Sequence, residues 1–253
     1  MQLVEPSSPV NWGEASQLEM VIRCLRFCIA SVEFDWLVML SGQDYPIRPI
    51  AEIERALGEE DCDALVEARP CPRPGVRTPV DEFSSRYYFR WWHPRHASLV
   101  SLARASTRKG ELVRTRAMPS GDWIGTRAVR TPFGAGLICH RGSDWFSLSR
   151  TAVKAIDAFA AGHPDVLRYY RRTLIPTESF IQTVLANDGS LTISGDTRRY
   201  TVWDAGPHQT GPDVLRLEDL DAMLASGFDF ARKFDPTVDS AVIDEIDRRV
   251  HAI

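Results

Sequence analysis

A chain of 253 residues, 44% hydrophobic and 25% charged, is long enough for one large α/β domain or two small ones. Its 30 basic and 34 acidic residues leave a net charge of −4, without the basic surplus of a general nucleic-acid binder, so no nucleic-acid partner is expected. No run approaches the roughly 18 apolar residues that span a bilayer, and the first residues lack a basic-then-apolar leader pattern. The expectation is a cytoplasmic protein, at most lying on the inner face of a membrane.

Residues 17–31 carry apolar positions at helical spacing and predict a helix with one buried face. Cys24 and Cys28 fall one turn apart within it and read as buried free thiols, since the five cysteines lack zinc-ligand spacing. Trp36–Leu40 predicts a buried strand, broken by a turn at Ser41–Pro46. Pro49 starts a helix through Leu57, and Ala64–Ala68 predicts another strand. Residues 69–80, rich in Pro and Arg, read as a loop. Arg86–Trp92 holds too many bulky rings for all to meet a ligand, so most should pack inside. A basic segment follows, with Arg95, Arg104, Arg108, Lys109, Arg114 and Arg116. Short strands near 136–139 and 144–148 precede a helix at about 149–161. Further helices are expected at 164–172, 178–187, 217–225 and 239–251, and a strand at 199–203. Mixed elements with short connections favour a single α/β domain over 1–253.

Four segments go together. They are Asp35-Trp36 with the following strand and Ser41-Gly42-Gln43-Asp44-Tyr45-Pro46; Gly142-Ser143-Asp144-Trp145-Phe146-Ser147-Leu148-Ser149-Arg150; Pro176-Thr177-Glu178-Ser179-Phe180-Ile181-Gln182-Thr183-Val184-Leu185; and Phe230-Ala231-Arg232-Lys233-Phe234-Asp235. In this order and spacing they resemble the Core-2/I-branching β-1,6-N-acetylglucosaminyltransferase family, which also includes peptide O-xylosyltransferases. Trp12-Gly13 and Arg199–Trp203 fit the same pattern. The resemblance implies a GT-A-like α/β fold, a Rossmann-type mixed sheet flanked by helices. It also implies a bacterial-type member that is N-terminally incomplete, missing the first nucleotide-binding strands.

The resemblance implies an inverting, metal-independent transferase. It would move GlcNAc, or xylose, from UDP-GlcNAc or UDP-xylose to a hydroxyl of a glycan, polysaccharide or glycoconjugate acceptor, with no cofactor and no metal site. Such chemistry needs a base for the acceptor hydroxyl, and Glu178 matches the family's base. Its surroundings fit a helix start with Thr177 as N-cap; an isolated acid there would simply complement the helix dipole. Arg232 and Lys233 match the basic pair that steadies the departing diphosphate, where an isolated pair would be a solvated patch. Asp44 either orients a sugar hydroxyl or holds its own turn. Glu82 and Arg86 fall where the family contacts the acceptor. Trp203 is a candidate for stacking on a sugar, whereas Trp145 is expected in the core. Asp61-Cys62-Asp63 and Asp219-Leu220-Asp221 match no donor-site motif and are read as chance. The basic 95–116 segment is a candidate for peripheral contact with an anionic membrane, with a solvated helix face preferred. The rival reading is a non-catalytic sugar-binding or scaffolding remnant of the same fold. A glycosidase ranks last, because no partner carboxylate motif is recognisable.

Overall fold

The apolar stripe of residues 17–31 becomes α1 (Ala15–Ser31), which buries Leu18, Val21, Ile22 and Leu25 along one face. The computed structural model describes residues 8–75, 80–107, 112–203 and 211–251. Cys24 and Cys28 lie beside that stripe and are half-buried free thiols, less enclosed than expected. The chain continues through β1 (Trp36–Val38) and β2 (Asp44–Pro46), the latter a short strand inside the expected turn. Pro49 stands at the N-cap of α2 (Ile50–Gly58), which begins one residue later than expected. The wholly buried β3 (Ala64–Val66) leads to β4 (Arg69–Pro70), a two-residue strand in the expected loop. Asp81 then caps α3 (Glu82–Tyr87), its carboxylate accepting the Ser84 N–H at 2.7 Å.

The aromatic run enters β5 (Phe89–Trp92). Tyr87, Tyr88, Phe89 and Trp91 are buried, as most of these rings were expected to be, and Trp92 lies outside. After α4 (Ala97–Thr107) comes a hairpin that the sequence did not announce, β6 (Val113–Met118) and β7 (Gly121–Arg127). Its first strand is studded with arginines, which hid its period of two. Next come β8 (His140–Arg141), β9 (Phe146–Ser149) and α5 (Arg150–Gly162), the last capped by the Ser149 hydroxyl. Then follow α6 (Pro164–Tyr170), a 3₁₀ turn at Pro176–Glu178 and α7 (Phe180–Asn187). The chain finishes with β10 (Ile193–Ser194), β11 (Arg199–Tyr200), α8 (Leu220–Ala225), β12 (Phe230–Arg232) and α9 (Ala241–Ile246). A π-helical turn, Asp247–His251, extends α9.

The central sheet has the order β1-β9-β3-β10, with β9 antiparallel to both neighbours and β10 parallel to β3. A second mixed sheet, β11-β12-β2, carries Arg232 opposite Asp44. The strands β5-β7-β6 form a separate antiparallel layer, and β4 pairs with β8. Apolar residues of α1, α5 and α7 close over β3 and β9, with Leu18, Val66, Leu148, Ile156 and Phe180 at the centre. A second core joins β12 to α8 and α9 through Ala231, Met223 and Val242. This is a mixed α/β architecture with helices against mixed sheets, as expected. The register puts the start of β9 beside the ends of β1 and β3, because Phe146 faces Val66 and Ser147 faces Val38. The loop before β9 and the turn after β1 therefore meet at one end of the sheet, where α/β proteins commonly place ligands. No helix among the described residues is long and apolar enough to cross a membrane.

Candidate active site

Glu178 closes the 3₁₀ turn that precedes α7. Thr177 does not cap that helix: α7 starts at Phe180 without a side-chain cap, and the Thr177 hydroxyl has no hydrogen-bond partner among the described residues. The turn is fastened instead by long-range contacts. Ile175, in the left-handed region at φ 48°, donates its N–H to the Gly13 carbonyl at 2.7 Å. Ser179, wholly buried, donates to the His140 carbonyl at 2.6 Å and meets the Tyr170 hydroxyl at 2.9 Å. The Gly142 N–H donates to the Glu178 carbonyl at 2.9 Å. A Cβ at Gly142 would run into the carbonyl of Glu67, so this close approach requires glycine.

The Glu178 carboxylate is 24% exposed and accepts Nη1 of Arg86 at 2.7 Å, while Nη2 of the same guanidinium donates to Glu82 at 2.7 Å. Arg116, from β6, reaches the same Glu82 oxygen at 2.8 Å. These hydrogen bonds, Arg86 first, hold the Glu82 carboxyl below its usual range. Glu178 behaves oppositely. Burial is the largest cause, repulsion from Asp144 adds to it, and Arg86 only partly compensates, so its carboxyl is pushed up to about 7. Asp144 was not singled out in the sequence as a site residue, although it lies in one of the four segments that carry the resemblance. Burial raises its carboxyl against the pull of the Thr177 hydroxyl, then of Gln17, Arg232 and Arg86. It thus interacts with both the Glu178 turn and the basic residues beyond.

On the basic side, the Asp44 side chain is 0% exposed, with Arg199 Nε at 2.8 Å and Arg232 Nε at 3.9 Å. Its other oxygen accepts the Ser41 N–H at 2.8 Å and the Ser41 hydroxyl. Of the two roles weighed for Asp44, holding the turn is the one whose contacts this geometry shows. Arg199, 2% exposed, is a site residue that sequence reasoning passed over. Its only signal was a place in the Arg199–Trp203 segment. Burial lowers its guanidinium to about 10 despite Asp44, which leaves it cationic at neutral pH. Trp145 departs from the core position expected of it. It is half-buried, with the Arg232 guanidinium 4.1 Å and that of Arg199 4.9 Å from its ring centre. Arg199 Nη1 and Arg232 Nε are buried donors without hydrogen-bond partners among the described residues, a chemistry suited to an anion.

Glu178, Arg86 and Glu82 therefore form one linked group, and Asp44 with Arg232 another. Lys233 is half-buried beside Arg232, and its carbonyl accepts the Leu215 N–H at 2.8 Å. Trp203 is 61% exposed and makes no ring contact with either group among the described residues. The Asp-x-Asp strings do structural work: Asp63 accepts the Thr192 N–H, Asp219 the Arg216 N–H, and Asp221 pairs with Arg249. In the basic segment, Arg104 pairs with Asp122, Arg114 donates to the Val80 carbonyl and Arg116 pairs with Glu82. Arg108 and Lys109 lie outside the described residues.

The chain is 26% identical to human xylosyltransferase 2 over 262 residues, covering 93% of this chain and 26% of the relative. It is 24% identical to the xylosyltransferase oxt of Drosophila pseudoobscura pseudoobscura over 261 residues, with the same coverage of each. The chain thus spans about a quarter of the length of these relatives. A family model described as Core-2/I-branching enzyme matches residues 2–69 and 79–224, which include the Ser41–Pro46 turn, Asp144, the Glu178 turn and Arg199. With that match running through most of the chain, and the mixed α/β fold it implies in place, this protein belongs to the Core-2/I-branching enzyme family.

Proposed function

We propose that this chain catalyses inverting transfer of GlcNAc or xylose from a UDP-sugar to an acceptor hydroxyl, without a metal. The observation that carries the reading is the Glu178 carboxyl. It is held near 7, fixed by a turn pinned on both sides, and electrostatically joined through Asp144 to a cluster of buried arginines. Ionised Glu178 takes the proton as the acceptor oxygen attacks the anomeric carbon, and the bond from that carbon to the diphosphate breaks on the opposite face. The product is β-linked, and the electron pair leaves on UDP. Arg232, Lys233 and the newly identified Arg199 face the charge that develops on the diphosphate; the unpartnered donors of Arg199 and Arg232 suit that task. Arg86 steadies the base, and Glu82 and Arg116 extend this charged surface toward the acceptor. The likeness to xylosyltransferases favours xylose more than the residue motifs did.

Calorimetric titration with UDP, followed by a transfer assay with UDP-xylose and UDP-GlcNAc, tests the proposal. UDP binding with release of UDP from one donor is expected. A chain without UDP affinity would instead be a sugar-binding or scaffolding domain.

A further inference from the structure

We infer that Gln17 is a positioning residue: from α1 it orients the Asp144 carboxylate and holds it against the Glu178 turn. This rests on the reading of Glu178 as the base and names a device that tunes it.

The geometry leaves the Gln17 amide one orientation. Its Oε1 accepts the Gly13 N–H at 2.8 Å. A backbone N–H can only donate, so the oxygen must face Gly13 and Nε2 must face away from it. That Nε2 donates to Asp144 Oδ2 at 3.3 Å, across 127 residues of chain. Gly13 is locked in turn: its φ is +75°, a Cβ there would collide with Met118, and its carbonyl receives the Ile175 N–H at 2.7 Å. One rigid path therefore runs from the Gly13 turn both to Ile175, three residues before Glu178, and through Gln17 to Asp144.

An amide that can only donate favours the ionised carboxylate over the acid. Asp144 needs that help, since burial pushes its carboxyl up and its Oδ1 has no partner among the described residues. The other groups around it are Arg232 from β12, Arg86 from α3 and Thr177 from the Glu178 turn itself. Around Glu178 stand Arg86, Asp144 and Glu67. Of these, Asp144 is the largest source of repulsion, so the charge on Asp144 governs how readily Glu178 holds a proton. Without Gln17, the Asp144 carboxylate loses the donor that fixes it against the Glu178 turn, the repulsion weakens, and Glu178 releases its proton at lower pH.

The test is the titration of Glu178 in the full chain, read by carboxyl carbon NMR on glutamate-labelled protein and by the acid limb of kcat/KM. In Gln17→Leu the midpoint should fall by at least roughly half a pH unit. Asp144→Asn should move it the same way, and adding Gln17→Leu to Asp144→Asn should move it no further. A loss of packing alone would shift the midpoint equally with and without the Asp144 carboxylate. An unchanged midpoint in Gln17→Leu, or an equal further shift in the Asp144→Asn background, overturns the inference. Should Glu178→Gln retain turnover, the reading of Glu178 as the base fails separately, and the NMR titration still decides the role of Gln17.

Discussion

Glu178 is subject to opposing demands from folding and from chemistry. Burial and Asp144 disfavour its charge, yet a base must be ionised to accept a proton. Activity is therefore expected to rise with pH through about 7 as one group ionises, and a kcat/KM profile from pH 5 to 9 checks this. The same shift bears on stability. Between the ordinary value of 4.5 and about 7 the native state holds a proton that the unfolded chain releases. Stability from this group thus falls as pH rises through that window, and its full cost is present above it. Glu178→Gln should lower turnover by about 10²–10⁴-fold and, at pH 8, stabilise the fold by on the order of 1–2 kcal/mol. Urea unfolding at pH 8 and pH 4 measures the second effect, which should vanish at the lower pH.

Turns between the strands, more than the strands themselves, hold these groups. Gly142 allows the loop before β9 to lie against the chain leaving β3 while its N–H holds the Glu178 carbonyl. Gly142→Ala must push the two backbones apart, and a loss of about 2–4 kcal/mol together with most of the activity is expected from thermal unfolding and transfer assays. The two arginines next to Asp44 should separate by role. Arg199→Met leaves a wholly buried carboxylate whose remaining cationic neighbour among the described residues is the more distant Arg232, and should cost about 3–5 kcal/mol of stability. Arg232→Ala keeps the Arg199–Asp44 pair, so its fold should survive while UDP affinity falls about 10–100-fold by calorimetry.

For the molecule as a whole, charge is arranged locally. The net −4 hides a concentration of buried guanidinium groups around Trp145 and a chain of alternating charges through Glu178, Arg86, Glu82 and Arg116. Three arginines of the 95–116 segment are engaged within the protein, which weakens the case for that segment as a membrane-contact surface. If the arginine cluster carries the diphosphate charge, turnover should persist in excess EDTA. Loss of activity on chelation and its recovery with manganese would refute the metal-free scheme.

Patterns that repeat within a few residues were legible in the sequence. The stripe of α1, the helix from about 149 that became α5 and the inward-facing aromatic run depend on periods and neighbours that any short window contains. Order along the chain carried the family. The β6–β7 hairpin was hidden because Arg114 and Arg116 find their partners on distant segments, Val80 and Glu82. The same holds for the site. That Asp44 meets arginines, that Trp145 lies under guanidinium groups and that Gln17 reaches Asp144 follow from pairings between remote strands and helices. The raised proton affinity of Glu178 arises from burial and from charges on other elements, so no local stretch encodes it. The sequence by itself determined which chemical groups are present and which elements carry them; only the tertiary structure decided which groups face each other, because desolvation and Coulomb forces act through space.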